Sequence, residues 1–173
     1  MMADNRAILR TLIQSATVEL FQYYGIAVAP MPVMQPLPTK LEQHVGGYGT
    51  FTGKGCNGTL GLLVPKEVFA LTKFEGLRVL NILDWTKELT NQLLGRIKNR
   101  LVQYQMPIRG DIPSAIDGKS LELRVAASNP FVIVCFRSIR GEIIVTLTGS
   151  IDYSRLQFSG NVASAEEGDI ILF

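Results

Sequence analysis

The stretch GYGTFTGKGCNGTLGLLV, residues 47–64, constrains the fold of this chain more than any other. Tyr48, Phe51, Leu60, Leu62 and Leu63 flank the turn-prone run Gly53–Gly58, a pattern that predicts two antiparallel strands joined by a glycine-rich hairpin. Pro65 ends the second strand, and Lys66 to Lys73, with Val68, Phe69 and Leu71, predicts a short helix. A nucleotide fingerprint requires a strand, then glycines, then a helix, whereas these glycines interrupt a strand; no GxxxxGK[ST] loop occurs either.

The hairpin lies between two helical patterns. Ile8, Leu9, Leu12, Ile13, Ala16, Leu20 and Phe21 recur at three- and four-residue steps from Asn5 to about Tyr24, and Gly25 supplies a stop. Pro30, Pro32, Pro36 and Pro38 then exclude a helix or a central strand, so the chain is expected to run extended to about Lys40 as a connector along an edge. The second helix is expected from Ile82 to Tyr104. A loop with Pro107, Gly110, Pro113 and Gly118 follows, then β-rich runs at Leu121–Ala126, Phe131–Arg137 and Glu142–Thr148, punctuated by Asn129-Pro130 and Arg140-Gly141. Each half thus contributes a helix and an antiparallel pair, which predicts the α+β class with helices layered on a mainly antiparallel sheet. Ile151 to Phe173 is expected to be either an extra strand or a partly ordered tail.

With 173 residues the chain fits a single domain spanning 1–173, and 47% hydrophobic against 18% charged residues argues for a packed core. The net charge of +2 provides no field to gather nucleic acid or an anionic membrane. So few charges leave apolar surface to close against a second copy. Met1 to Leu12 lacks a signal-peptide core and no later stretch is long enough to span a membrane, which predicts a cytoplasmic protein. Cys56 and Cys135, without CxxC spacing, are expected as buried reduced thiols, and His44, the single histidine, has no ligand partners around it. No cofactor or metal of its own is therefore expected.

The informative residues lie on the second helix. Its apolar positions Ile82, Leu83, Leu89, Leu93, Leu94, Ile97 and Leu101 form one face. Asp84, Asn91 and Gly95 fall within about 60° of Glu88 on the other. Asn and an exposed mid-helix Gly both disfavour a helix, Gly by about 1 kcal/mol relative to Ala. The stripe therefore works against local stability. Glu88 and Asn91 place an anion and an amide side by side, and Gly95 removes a side chain where another protein's backbone can approach.

The order in which these features occur is diagnostic. Asp84-x-x-x-Glu88-x-x-Asn91-x-x-x-Gly95 follows a helix, the hairpin F-x-G-x-G-x-x-G-x-L-x-L and a short helix, and precedes DIPSAIDGKSLEL and FVIVCFRSIRGEIIVTL. From Ile8 to about Thr148 this arrangement resembles the CheC and CheX family of chemotaxis phosphatases, and CheX most nearly, because only the second helix has the intact motif. The resemblance implies a CheC/CheX-like fold, a homodimer paired through its sheets, and removal of the phosphoryl group from the aspartate of a CheY-like response-regulator receiver. By the same resemblance Asn91 holds the attacking water, Glu88 binds the receiver's lysine, and Asp84 and Gly95 shape the docking surface. Magnesium is expected on the receiver. In the first helix Glu19-x-x-Gln22 occupies the place of a second such pair in CheC-like members, but Phe21 and its neighbours point to the core. The alternative readings are a non-catalytic module that docks a receiver or flagellar-switch component and a domain that only oligomerises through its sheet; the intact Glu88/Asn91 pair favours catalysis.

Overall fold

Two antiparallel hairpins that lie side by side in one sheet form the centre of the computed structural model, which describes residues 2–32, 40–72, 81–123 and 131–159. The elements in chain order are α1 (Met2–Tyr23), β1 (Val28–Met31), β2 (Lys40–Glu42), β3 (His44–Gly53), β4 (Cys56–Pro65), α2 (Lys66–Phe69), α3 (Ile82–Val102), β5 (Ile108–Gly110), β6 (Ser114–Asp117), β7 (Ser120–Glu122), β8 (Phe131–Ser138) and β9 (Gly141–Ile151). The main sheet runs β1-β8-β9-β4-β3-β5, with β6 also paired to β3, and every pairing is antiparallel. The class is α+β, as the order of the elements predicts.

The first hairpin is tighter than its composition suggests. Gly53 pairs with Cys56, so the turn is only Lys54-Gly55, with Gly55 at φ +81°. Gly58 belongs to the strand instead. Paired between Phe51 and Gly149, it has no room for a Cβ, which would overlap the Thr148 carbonyl oxygen. Glycine there serves a close backbone approach and not a turn.

Two short strands, β5 and β6, occupy the region after α3 that the sequence marks as loop; both use the outer edge of β3. Val28–Met31 forms the opposite edge, with Pro30 opposite Phe136, where a missing N–H costs no ladder bond if it faces outward. The rest of the proline-rich connector, residues 33–39, lies outside the described residues, as do 124–130 and 160–173. Up to Ser159 the chain after β9 adds no strand. It makes a 3-10 turn at Tyr153–Arg155, buries Leu156, and ties back through Asn5 Nδ2 to the Tyr153 carbonyl and Ser159 N to the Gln103 carbonyl, at 2.6 and 2.9 Å.

Each helix covers the hairpin of the other half: α1 packs on β1 and β8, α3 on β3, β5 and β6, and the two helices touch. α1 ends as its glycine predicts. Gly25 at φ +72° donates to the Gln22 carbonyl and Ile26 to the Phe21 carbonyl, a Schellman closure with Ile26 buried. Beneath the helices lies the main core, filled by Ile13, Leu20 and Phe21 of α1, Trp85, Leu89 and Leu93 of α3, and Val134, Phe136 and Val145 of the sheet. Ile133, Cys135 and Ile144 point to the far face, where Leu41 of β2 and Leu121 of β7 roof them. Burial on both faces explains why β8 and β9 read as continuous apolar runs.

β3 is bare where α3 crosses it. A Cβ at Gly47 would overlap Thr90 Oγ1 and come within 3.1 Å of the Thr86 carbonyl, and one at Gly49 would touch Leu94 at 3.4 Å. The threonine hydroxyls have no freedom to yield, because Thr86 donates to the Ile82 carbonyl and Thr90 to the Thr86 carbonyl, both at 2.7 Å. Gly47→Ala should therefore cost about 1–3 kcal/mol and lower the melting temperature by roughly 2–10 °C. An unchanged melt would show that α3 does not depend on this glycine.

Candidate functional site

The site begins at the start of α3. Asn81, in extended conformation, accepts from the Asp84 backbone N–H at 2.9 Å and donates from Nδ2 to Asp84 Oδ2 at 2.8 Å. This reciprocal cap gives Asp84 a structural duty at the positive end of the helix dipole. Lys87 Nζ lies 3.7 Å from the same carboxylate. Trp85, Thr86, Leu89, Thr90, Leu93, Leu94 and Ile97 are buried, so Asp84, Lys87, Glu88 and Asn91 face outward.

The two central side chains differ in their surroundings. Glu88 Oε1 accepts from Gln92 Nε2 at 2.7 Å, and Gln92 Oε1 in turn accepts from the Tyr24 hydroxyl at 2.9 Å. Burial pushes the Tyr24 phenol up to about 12, helped by the Glu88 charge. The Asn91 carboxamide has no side-chain partner among the described residues. It is free to bind water or an incoming group.

Asp84, Lys87, Glu88, Asn91, Ile112 and Pro113 line an open cleft of about 240 Å³ between α3 and the β5–β6 connection. That connection is held firmly. Asp111 donates its N–H to the Thr50 carbonyl at 3.0 Å and accepts from the Thr50 hydroxyl, while Pro113 is buried beside Gly49. Ile112 on its crest is 95% exposed.

Three of the four residues that the helical stripe singles out meet in this cleft, and Gly95 sits one turn beyond it. A Cβ at Gly95 would have nothing within 4 Å, so packing does not account for the glycine. The stripe alone misses Lys87, Ile112 and Pro113 in the lining, and Gln92 and Tyr24 behind Glu88. Gln92 is detectable as the i+4 neighbour of Glu88; nothing local marks Ile112 or Tyr24.

Other candidate groups have structural roles. Glu19 pairs with Arg100 and, at 3.9 Å, with Arg96, tying α1 to α3, while Gln22 is exposed and Phe21 buried. Cys56 and Cys135 are buried and not in a disulfide, and burial pushes the Cys56 thiol up to about 11. The His44 ring nitrogens face the Glu42 and Glu142 carbonyls at 2.8 and 3.0 Å. Among the described residues no group of His, Cys, Asp or Glu is placed to hold a metal ion, and no helix is long and apolar enough to cross a membrane.

Helices packed on a mainly antiparallel sheet, with a carboxylate and a carboxamide of α3 exposed beside a cleft, define a protein of the α+β class. The family model for the chemotaxis phosphatase CheX matches residues 45–137, a span that includes β3 from its second residue, α3 and the whole cleft. The chain belongs to the CheX family. None of the curated proteins matches it. Among solved structures it is similar to the chemotaxis protein CheX of Desulfovibrio desulfuricans, with 19% identity, TM-score 0.68, and coverage of 82% of this chain and 99% of that one. The CheX of Vibrio vulnificus gives 17% identity and TM-score 0.68 over 83% and 97% of the two chains. A CheX–CheY–BeF3–Mg2+ complex from Borrelia burgdorferi gives 16% and 0.54 over 82% and 97%. At these identities the likeness is one of fold.

Since nothing crowds Gly95, Gly95→Ala should leave the protein as stable or more stable, by up to about 1 kcal/mol. Urea unfolding measures this, and a clear loss of stability would assign the glycine to packing.

Proposed function

We propose that this chain, acting as a single domain, is a protein-aspartyl-phosphate phosphatase whose substrate is the receiver domain of a response regulator. The observation that carries the reading is the exposed pair on α3: Glu88 held in place by Gln92, and Asn91 with its carboxamide unengaged among the described residues, both lining one cleft. Membership of a chemotaxis phosphatase family supports it, as does the Borrelia complex, in which a CheX is assembled with CheY, BeF3 and Mg2+.

An acyl phosphate on aspartate is already reactive, and the receiver brings its own magnesium and lysine to balance charge on the phosphoryl oxygens. What remains to be supplied is an oriented nucleophile. Asn91 accepts from one water hydrogen or donates to the water oxygen and aims it at phosphorus. The water oxygen bonds to phosphorus, the bond from phosphorus to the aspartyl oxygen breaks, and inorganic phosphate and the free carboxylate are released. Glu88 pairs with the receiver's lysine and fixes the approach. Asp84 and Ile112 contribute to the docking surface, and Gly95 leaves room for the partner's backbone. No cofactor of the chain's own enters.

With a receiver as substrate, the reaction belongs to the cytoplasm. We also assign a second copy of the chain as a partner. Tyr48 and Ile116, both exposed on the sheet face away from α3, support pairing through that face.

The test is the decay of magnesium-bound phosphorylated receivers with wild-type protein and with Asn91→Ala. Water positioning worth about 3 kcal/mol corresponds to roughly a hundredfold loss in the variant. Its fold should be intact, because Ala is the better helix former. Glu88→Ala should weaken binding as well as turnover. No acceleration by the wild type, or equal rates for wild type and Asn91→Ala, overturns the reading. Sedimentation should give a dimer that Tyr48→Asp with Ile116→Asp converts to monomer; an unchanged dimer would move the interface elsewhere.

A further inference from the structure

An exposed glutamate on a helix ordinarily samples several rotamers and must lose that freedom when it meets a partner's cation. Glu88 is different. Its Oε1 is held by Gln92 Nε2 at 2.7 Å, one helical turn along α3. A surface pair of this kind is weak by itself, but Gln92 is half-buried and its own oxygen takes the Tyr24 hydroxyl at 2.9 Å. Tyr24 is 3% exposed, stacked edge-on against Tyr23 at 5.3 Å, and its backbone is fixed by the closing turn of α1 through the bond from Tyr24 N to the Phe21 carbonyl. The chain of contacts therefore ends in the core.

The directions of these bonds are also determined. If the Gln92 amide were reversed, its oxygen would face the Glu88 carboxylate, acceptor against acceptor. Nε2 must face Glu88, so Oε1 faces Tyr24, and the Tyr24 hydroxyl must donate. Each bond polarises the next in the same sense. The phenol, raised by burial to about 12, keeps its proton across the neutral range.

We propose that Gln92 and Tyr24 are positioning residues: they hold one oxygen of the Glu88 carboxylate so that the other is presented, in one orientation, to the cation of a docking receiver. This rests on the phosphatase reading above for the identity of the partner, while the hydrogen-bonded chain itself belongs to the free protein. The pairs from Glu19 to Arg96 and Arg100 brace the same two helices, which keeps the α1 end of the chain in register with its α3 end.

Tyr24→Phe keeps the ring and loses the hydroxyl, and Gln92→Met keeps length and helix propensity while losing the amide. With phosphorylated receiver as substrate, each should raise KM about fivefold and leave kcat within about twofold. Each should weaken the affinity for a receiver loaded with BeF3 and Mg2+ to the same extent, and neither should have any effect in a Glu88→Ala background. In the free protein, the side-chain amide resonances of Gln92 should shift in both Tyr24→Phe and Glu88→Gln. Unmoved resonances overturn the chain whatever the receiver results. Unchanged KM and affinity, or effects that persist without Glu88, overturn the positioning role. Wild-type protein that binds receiver through Glu88 without accelerating decay would instead overturn the phosphatase reading and leave the positioning role standing in the affinities.

Discussion

The close contact between α3 and β3 governs the rest of the molecule's working surface. Gly47 and Gly49 leave the helix-facing side of β3 bare, so Thr86, Thr90 and Leu94 meet backbone where side chains would otherwise stand. The threonine hydroxyls satisfy themselves on carbonyls one turn back, which removes the cost of burying them. Lowered onto the sheet in this way, α3 brings its outer stripe level with the β5–β6 connection. Leu94 then packs near Gly110, where a Cβ would lie 2.6 Å from its Cδ2, and Pro113 closes beside Gly49. A side chain at 47 would hold the helix off the sheet and separate the two walls of the cleft.

A second constraint comes from the exchange of helices between halves. Because α1 covers β8 and α3 covers β3, the helices lie side by side over the seam where β4 meets β9. The C-terminal end of α1 therefore reaches the middle of α3. Two ion pairs from Glu19 and the bond from Tyr24 to Gln92 cross that boundary. The surface of α3 is thus supported from both halves of the chain, although every residue of the proposed catalytic pair belongs to one.

What could be read in the sequence follows from how local each signal is. The α3 stripe was legible because a helix has a fixed angular step, so Asp84, Glu88, Asn91 and Gly95 align whatever surrounds them. The Gly25 stop was legible for the same reason, a backbone requirement carried by one residue, and Arg140-Gly141 marked the β8–β9 turn to within one residue: the turn is Ile139-Arg140, and Gly141, at φ +120°, opens β9. Gly58 misled, since glycine marks both turns and close strand approach, and only the pairing with Gly149 separates the two. β5 and β6 were illegible because strands of three and four residues take their stability from an edge of β3 that lies far away in sequence. Ile112, and the link from Tyr24 to Gln92, exist only once the chain has folded.

The Glu88/Asn91 pair shows a division that fits the chemistry proposed for it. A group that sets the position of a partner gains from being fixed beforehand, since every rotamer frozen in advance is entropy not lost on docking. Glu88 has that arrangement, with one oxygen engaged by Gln92 and the other without a partner among the described residues. A group that orients water gains from the opposite, because a carboxamide already committed to a neighbour has no donor or acceptor left to direct. Asn91 has no such neighbour among the described residues, and its exposure means that solvent satisfies it at little cost until a partner closes the cleft. A partner that closes it excludes most of that solvent while the amide still requires one hydrogen-bonding group. A single water retained there would be held where the proposed reaction needs its nucleophile, and the demand of a buried amide for a partner would become the means of aiming it.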